Sequence, residues 1–254
     1  TIVGAIDTLD AINDKGSTRD VYNQNSRNWA LFTHNTLAIV PDRLFATLGV
    51  RYTDEHKDYT FVRLNQDGTI NPFLGALNGQ TGVFDGDRID YRASAQYKFT
   101  DDVMAYAQIS TGFKGGGIGP RPFNIAQVQS FGPETLTSYE VGTKADLFDR
   151  RARLNIAAFY SDYKDIQLTL LSCPQFGGPG PCALPQNAGD AKVKGVEVEL
   201  SLRPVDGLSI DGAASYIDFD FKNINPQAGG PTAAASMPAC HRWPNGQPIV
   251  QGVD

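Results

Sequence analysis

Residues 112–118 read GFKGGGI, and several glycines around one lysine are the composition of a loop that binds phosphate. A nucleotide-binding loop also needs GxxxxGK(S/T) spacing and a helix that begins at the glycines, because the N–H groups of the first helical turn bind the phosphates. Here residues 118–122 read IGPRP, a Gly/Pro run that does not form a helix. The sequence therefore predicts that the glycines free the backbone where a strand leaves its sheet, with Lys114 near a wet surface.

Signals for catalysis and metal binding are weak. The three histidines are scattered along the chain without a GxSxG motif; they are His34, His56 and His241. Asp54 and His56 can share one face of a strand, but no nucleophile joins them, so we interpret them as a solvated pair. Residues 85–88 read DGDR, lack the spacing of a calcium loop and are interpreted as a solvated loop. The sequence predicts no enzyme, no bound metal and no cofactor.

The cysteines indicate one loop-closing disulfide. Cys173 and Cys182 bracket a Pro/Gly-rich segment that is typical of a loop. A disulfide between them would imply an oxidising compartment, and two free thiols are the alternative. Zinc is less favoured because no CxxC pair or HxxxH motif accompanies them. Cys240 is left over, and we expect any partner of it to lie outside this sequence.

The composition bounds the class of protein. The chain has 254 residues, 41% of them hydrophobic, and a net charge of −6 without a basic cluster. Such a chain can fold, and nucleic acid is not expected as a partner. No segment approaches the roughly 18 apolar residues of a transmembrane helix, whereas spanning β-strands carry a much weaker hydropathy signal. The chain begins at Thr1 without Met and ends in a polar stretch, so we expect it to be a fragment.

Period-two alternation of apolar and polar residues dominates the chain and predicts β-strands. In residues 196–203, VEVELSLR, the apolar side chains Val196, Val198, Leu200 and Leu202 fall on one face and the polar ones on the other. The same alternation occurs in residues 44–53, 90–99 and 139–146. Short connections at 40–43, 99–102, 148–151 and 203–207 alternate with long polar segments at 63–87, 115–133, 169–189 and beyond 222. This asymmetry is typical of antiparallel outer-membrane barrels.

Strand length favours a barrel over a sandwich. Residues 153–169 run without Gly or Pro, whereas sandwich strands have about 5–6 residues and tilted spanning strands about 9–11. Aromatic residues near the predicted strand ends fit membrane-interface girdles; they are Tyr52, Tyr97, Phe99, Phe148 and Tyr160. The sequence predicts an all-β, transmembrane antiparallel meander of about eight strands, over residues 28–40, 43–63, 88–99, 102–114, 135–147, 150–168, 191–203 and 207–221. A soluble carbohydrate-binding sandwich is the alternative.

Several motifs, in order along residues 28–221, resemble the barrel domain of TonB-dependent outer-membrane receptors. They are 48–55 (LGVRYTDE), 99–107 (FTDDVMAYA), 110–116 (STGFKGG), 133–144 (PETLTSYEVGTK), 154–167 (LNIAAFYSDYKDIQ) and 187–197 (NAGDAKVKGVE). The resemblance implies that residues 28–221 are part of a barrel of about 22 strands. Residues 1–27 are then a remnant of an outer loop or strand and residues 222–254 a truncated extracellular loop. The family's plug domain and TonB box are absent from this chain.

The resemblance also implies a function and partners. It implies TonB-energised uptake of a scarce ligand, an iron–siderophore complex first of all, in the outer membrane of a Gram-negative bacterium. The implied partners are outer-membrane lipid, the protein's own plug domain, TonB through the missing N-terminal region, and the ligand. A passive porin, which has no plug, is the alternative.

The polar face of the strands should line the lumen, because a barrel of this class has an apolar outside and a polar inside. The inward set consists of Arg51, Arg92, Gln96, Lys114, Glu140, Lys144, Glu197 and Glu199. These side chains are expected to contact plug, water or ligand.

Overall fold

The computed structural model describes residues 19–65, 67–70, 75–176 and 182–225. Eight long strands of this part of the chain form one antiparallel sheet, in which each strand pairs with the next long strand along the sequence. They are β1 (Arg19–Val40), β2 (Leu44–Leu64), β3 (Thr81–Lys98), β4 (Val103–Lys114), β7 (Glu134–Leu147), β8 (Ala152–Lys164), β11 (Asp190–Leu202) and β12 (Ile210–Lys222). The prediction of an all-β antiparallel meander of eight long strands is confirmed. Within the described residues β1 and β12 are not paired with each other, so the barrel is not closed.

Four short strands lie in the long connections. β5 (Gly117–Ile118) pairs with β6 (Ser130–Phe131), and β9 (Gln167–Leu170) pairs with β10 (Leu184–Asn187). Each pair is a small antiparallel hairpin separate from the main sheet. Two single 3-10 turns, Gly75–Leu77 and Ile125–Gln127, are the helical elements of the described chain. Among these residues, no helix is long and apolar enough to span a membrane.

Several predicted strand boundaries are wrong; β12, for example, begins at Ile210 instead of residue 207. β1 begins at Arg19, nine residues earlier than residue 28. β3 begins at Thr81 instead of 88, so residues 85–88 belong to a strand and not to a solvated loop. Gly82 and Gly86 make this segment look like a turn in the sequence. In the structure both lie on the inward side of β3, where a Cβ atom at Gly82 would crowd Ile118 and one at Gly86 would crowd the Phe84 ring. The predicted strand 150–168 is two strands, because Asp165 has a positive φ of 56° that ends β8.

The register places the alternating residues on two distinct faces, because directly opposed residues in an antiparallel sheet share a face. One row of such partners crosses all eight strands and is apolar; it consists of Leu37, Ala46, Ala95, Ala107, Val141, Ala158, Val196 and Tyr216. We call this the outward face and its opposite the inward face. An apolar outward row of this length is what a lipid-facing surface requires.

Aromatic side chains frame the outward face at two levels. Tyr97 and Phe99 are in contact beside a tight turn, with ring centroids 5.0 Å apart. Nearer the other end of the strands, Trp29 contacts Tyr52 at 5.3 Å and Tyr139 contacts Tyr160 at 6.4 Å. These pairs are the arrangement expected of membrane-interface girdles.

The buried core lies on the inward face, at the end of the sheet that carries the long connections. One cluster consists of Tyr59, Phe61, Leu77, Phe84 and Ile118. A second consists of Leu170, Cys173, Cys182, Leu184 and Ala188. The described residues of segments 67–80, 115–133 and 165–189 supply many of these side chains, and we call them the loop canopy. The canopy covers one end of the inward face, and the tight turns lie at the other end.

Candidate functional site

The structure places all eight predicted inward residues on the inward face. Glu197 shares a cross-strand row with Gln96, and Glu199 shares the next row with Lys144. Arg51, Arg92, Lys114 and Glu140 follow the same parity on their strands. This geometry agrees with the proposed lumen wall, and contact of any one of these side chains with a ligand stays a prediction.

Two aromatic rings lie across glycines of the inward wall, and the sequence analysis missed both. Tyr106 is opposite Gly142, where a Cβ atom would come within 2.6 Å of the Tyr106 ring. Phe159 is opposite Gly195 in the same way, at 2.7 Å. The signal in the sequence is a glycine whose cross-strand partner is aromatic, which is readable only once the register is known. Each ring therefore occupies the space that a side chain at the opposite position would need.

Polar side chains of the wall hold one another in place. The Tyr106 hydroxyl donates to Glu140 Oε1 at 2.6 Å, and Lys144 Nζ lies 6.0 Å from the centroid of the same ring. Lower on the wall, Asn155 Nδ2 donates to Glu199 Oε2 at 3.0 Å. Glu140 and Glu199 therefore accept hydrogen bonds from neutral donors, which hold the two carboxylates in place without neutralising their charge.

The glycines of GFKGGG allow the canopy to approach the wall closely. None of residues 115–117 has a positive φ, so backbone freedom alone does not explain them. A Cβ atom at Gly115 would overlap the Glu55 carboxylate, and one at Gly116 would overlap the Phe84 ring and the Phe131 carbonyl oxygen. Lys57 Nζ donates to the Gly116 carbonyl at 2.6 Å. The interpretation of these glycines as a release point is corrected: they are a packing surface. Lys114 is exposed, as expected.

Asn187 joins the two hairpin-bearing segments of the canopy. Its Oδ1 accepts from the Gly132 N–H at 2.7 Å, and its Nδ2 donates to the carbonyls of Gly132 at 3.0 Å and Asp165 at 2.8 Å. A single side-chain amide thus bonds one segment through both of its polar atoms, which fixes the distance and the orientation.

Gln167 makes a second connection between the same segments. Its Nε2 donates to the carbonyls of Gly115 at 3.0 Å and Gly132 at 3.1 Å, while its backbone N–H donates to Glu134 Oε2 at 3.0 Å. Asn187 and Gln167 therefore make segments 115–133 and 165–189 one unit. The sequence analysis did not predict either role, because the partners are about 35 to 55 residues away in the chain.

The structure pairs Cys173 with Cys182 in the second canopy cluster, with Cα atoms 5.9 Å apart. We expect mass spectrometry of the unreduced full-length protein, isolated from membranes, to show the two cysteines in one linked peptide. The disulfide closes a short loop at the canopy end of the molecule, and disulfides persist in proteins of the cell surface because the surroundings are oxidising. Recovery of both cysteines as freely alkylated thiols would contradict it. Cys240 lies outside the described residues.

His56 lies beyond the Trp29–Tyr52 girdle, on the outward face of the part of β2 that projects past the apolar band. Its ring nitrogens hydrogen-bond to Asp85 on β3 and to Asp58, at 3.1 Å for Asp58. The prediction that His56 forms a solvated pair with Asp54 is therefore wrong, because its partners are Asp85 and Asp58. The Asp85 carboxylate first, and then that of Asp58, raise the pKa of His56 above its ordinary 6.5.

The contribution of His56 to stability should therefore depend on pH. A pKa that is higher in the folded protein stabilises the fold fully below the unfolded value of 6.5 and loses this effect as pH rises through the folded pKa. We expect the His56 ring resonance in a ¹³C-labelled sample to titrate above pH 6.5, and Asp85→Asn to lower that midpoint clearly. Asp54→Asn, on the same face of β2, is the matched control and should change it less. Equal effects of the two variants would contradict the assignment.

Among the described residues, no group of three or more His, Cys, Asp or Glu side chains could hold a metal ion.

Comparison with known proteins identifies the family. The sequence matches the family model described as "TonB dependent receptor-like, beta-barrel" over residues 3–243. The metal-pseudopaline receptor of Pseudomonas aeruginosa (strain UCBPP-PA14) is 29% identical over 171 residues, which cover 67% of this chain and 21% of that relative. A probable TonB-dependent siderophore receptor of Acinetobacter baumannii is 22% identical over 239 residues, 91% of this chain and 29% of the relative.

Solved structures agree with these matches. The ferric yersiniabactin uptake receptor from Yersinia pestis superposes with a TM-score of 0.67 and 26% identity, over 82% of this chain and 29% of that one. The ferric-catecholate import receptor from Escherichia coli K12 gives a TM-score of 0.59 and 20% identity, over 80% of this chain and 29% of that one. This chain spans less than a third of the length of these relatives.

The family model covers nearly the whole chain, and the antiparallel meander superposes on a solved receptor. This chain therefore belongs to the β-barrel family of TonB-dependent receptors, which are transport receptors of the Gram-negative outer membrane and not enzymes.

Proposed function

We propose that the full-length protein containing this chain takes up a scarce metal chelate, an iron–siderophore complex first of all, with energy supplied through TonB. The observation that carries the proposal is the charged inward face together with the loop canopy that packs over one end of it. In such a sheet neighbouring strands pair their backbone groups, so the polar side chains of the inward face are free to meet a passing solute.

The relatives support the chemical class of the ligand. Their names describe receptors for metal-pseudopaline, ferric yersiniabactin and ferric catecholates. Each of these ligands is a metal held by an organic chelator, and we infer the same class for this receptor. Its own plug domain, TonB and outer-membrane lipid are the further partners in this proposal.

A passive porin is the second candidate, and the canopy favours a receptor over it. Hydrogen bonds of Asn187 and Gln167 tie the canopy segments together over the inward face. Loop segments that are joined and packed against the wall suit a protein that binds its solute and passes it on, whereas passive diffusion needs an open lumen.

Energy dependence separates the two candidates. The full-length gene should be expressed in a strain without its own siderophore receptors, and uptake of ⁵⁵Fe chelates measured with and without a functional tonB gene. We expect uptake at nanomolar chelate only when TonB is present. Uptake that is independent of TonB and does not saturate would contradict the receptor and support the porin.

A further inference from the structure

On β2 and β3, Arg51 and Arg92 are the first exposed inward side chains below the canopy. On β2 the inward residues from Thr53 toward the canopy end of the strand are buried or half-buried, and on β3 the inward Asp90 is buried. Arg51 and Arg92 are both exposed. Arg92 is also the last residue of β3 that pairs with β4, so the wall divides at this level. A solute that has passed the canopy meets these two guanidinium groups before any other charged group of β2 or β3.

The two arginines are neighbours on the wall. Arg51 is opposite Asp90 and Arg92 is opposite Gly49, so Arg51 and Arg92 occupy diagonal positions. Diagonal positions are within reach of long side chains, and like charges in such neighbouring places repel. Only an anion between them would turn this repulsion into attraction.

Neutral groups hold both guanidinium groups. Arg51 Nε donates to Thr53 Oγ1 at 3.1 Å, and Arg92 Nη2 donates to Gln108 Oε1 at 2.6 Å. Within the described residues neither forms an ion pair. The carboxylate opposite Arg51, that of Asp90, already accepts from Arg88 Nε at 2.9 Å and from Thr111 Oγ1 at 3.0 Å.

Several other charges of the wall are paired or lie on more distant strands. Lys57 lies 3.5 Å from the Glu55 carboxylate, and Arg88 is paired with Asp90. The carboxylates of Glu140 and Glu199 belong to β7 and β11, which are two and four strands away from β3 in the sheet. On β2 and β3 the exposed positive charge below the canopy is therefore that of Arg51 and Arg92, and Lys114 of β4 is a further exposed inward cation.

We propose that Arg51 and Arg92 bind the carboxylate groups of an anionic metal chelate as it passes below the canopy. Guanidinium groups bind carboxylates through two parallel hydrogen bonds, and this geometry requires a carboxylate that the metal leaves exposed. The proposal rests on the proposed function and narrows its ligand to chelates of net negative charge. An acidic side chain of the protein's own plug offers the same chemistry, and the experiment separates the two sources.

Binding to the purified full-length receptor should be measured by equilibrium dialysis. The anionic probes are ferric citrate and the ferric and nickel(II) complexes of aminopolycarboxylates, and the cationic probe is ferric desferrioxamine B. We expect at least one anionic probe to bind and the cationic one not to bind. Arg51→Gln and Arg92→Gln should each raise the Kd by about tenfold, and the double variant by about 100-fold, because each removes a charge-assisted hydrogen bond. Arg150→Gln, at the opposite rim, is the charge-matched control and should leave the Kd unchanged.

Three results would overturn the proposal. The first is that no anionic probe binds at millimolar concentration. The second is that the double variant binds anionic probes as tightly as the unsubstituted receptor. The third is unchanged binding together with new sensitivity of cells to vancomycin, which would show that the arginines hold the plug.

The outcome for the proposed function stays separate. TonB-dependent uptake of a cationic or neutral chelate that the double variant does not change would leave the function standing and overturn this inference. Absence of TonB-dependent uptake of every chelate by the unsubstituted receptor would overturn the function itself.

Discussion

Arginine in place of Val198 should lower the free energy of unfolding of the full-length receptor by about 2–4 kcal/mol, if the site lies near the middle of the bilayer. Val198 belongs to the apolar outward face, opposite Ile156 and Ala214, and lies four residues from the end of β11 at Leu202. A guanidinium group at this depth would lose its hydration to lipid. Urea unfolding of the receptor in lipid vesicles, followed by tryptophan fluorescence, would measure the change.

Glu197 provides the control, because it is the next residue on the same strand and faces inward. Glu197→Arg places the same side chain at the same depth on the wet face, and we expect the free energy of unfolding to change by less than about 0.5 kcal/mol. Equal tolerance of arginine at 197 and 198 would show that the two faces are assigned wrongly.

The strands and their faces are readable from the sequence because both depend on local alternation. A period of two places successive side chains on opposite faces whatever the rest of the molecule does. Residues 196–203 alternate without interruption, and the predicted strand matches β11 to within one residue. The eight inward residues were predicted in the same way.

Strand ends and canopy contacts depend on distant residues, and this is why they were missed. The glycines at 82 and 86 look like turn residues until Ile118 and Phe84 are known to need their space. Asn187 and Gln167 look like ordinary polar loop residues until Gly132 is brought next to them. The conformation of Asp165, which separates β8 from β9, has no local signal beyond the tolerance of Asp for positive φ.

The paired arginines differ from the other charged residues of the wall only in what surrounds them. Arg51 and Arg88 are both inward-facing arginines in alternating strands, yet one lacks a carboxylate partner among the described residues and the other is bound to Asp90. The odd or even position of a residue along its strand predicts which face of the sheet its charge occupies. Whether a carboxylate pairs with that charge depends on the neighbouring strand, and so the pairing can be predicted only when the register is known.

The second large effect should come from Gly116→Val, which we expect to displace the canopy. A side chain at this position would overlap the Phe84 ring and the backbone carbonyl of Phe131, and the carbonyl cannot move without breaking the β5–β6 hairpin. Overpacking of this kind costs about 1–3 kcal/mol. Hydrogen–deuterium exchange of the full-length receptor should show the canopy amides less protected by roughly tenfold or more, since local opening sets their exchange rate.

Gly112→Val tests whether the loss arises from the close approach or from any change in the GFKGGG motif. A Cβ atom at Gly112 meets nothing within 4 Å, and its φ is not positive, so valine fits there without strain. We expect canopy protection to be unchanged in this variant, because β-branched residues suit a strand. If Gly116→Val and Gly112→Val loosen the canopy equally, the glycines are needed for their backbone freedom and not for the close approach. If neither does, Gly116 does not seat the canopy against Phe84. Loosening by Gly116→Val alone would establish that the motif is a packing surface that holds the canopy over Arg51 and Arg92.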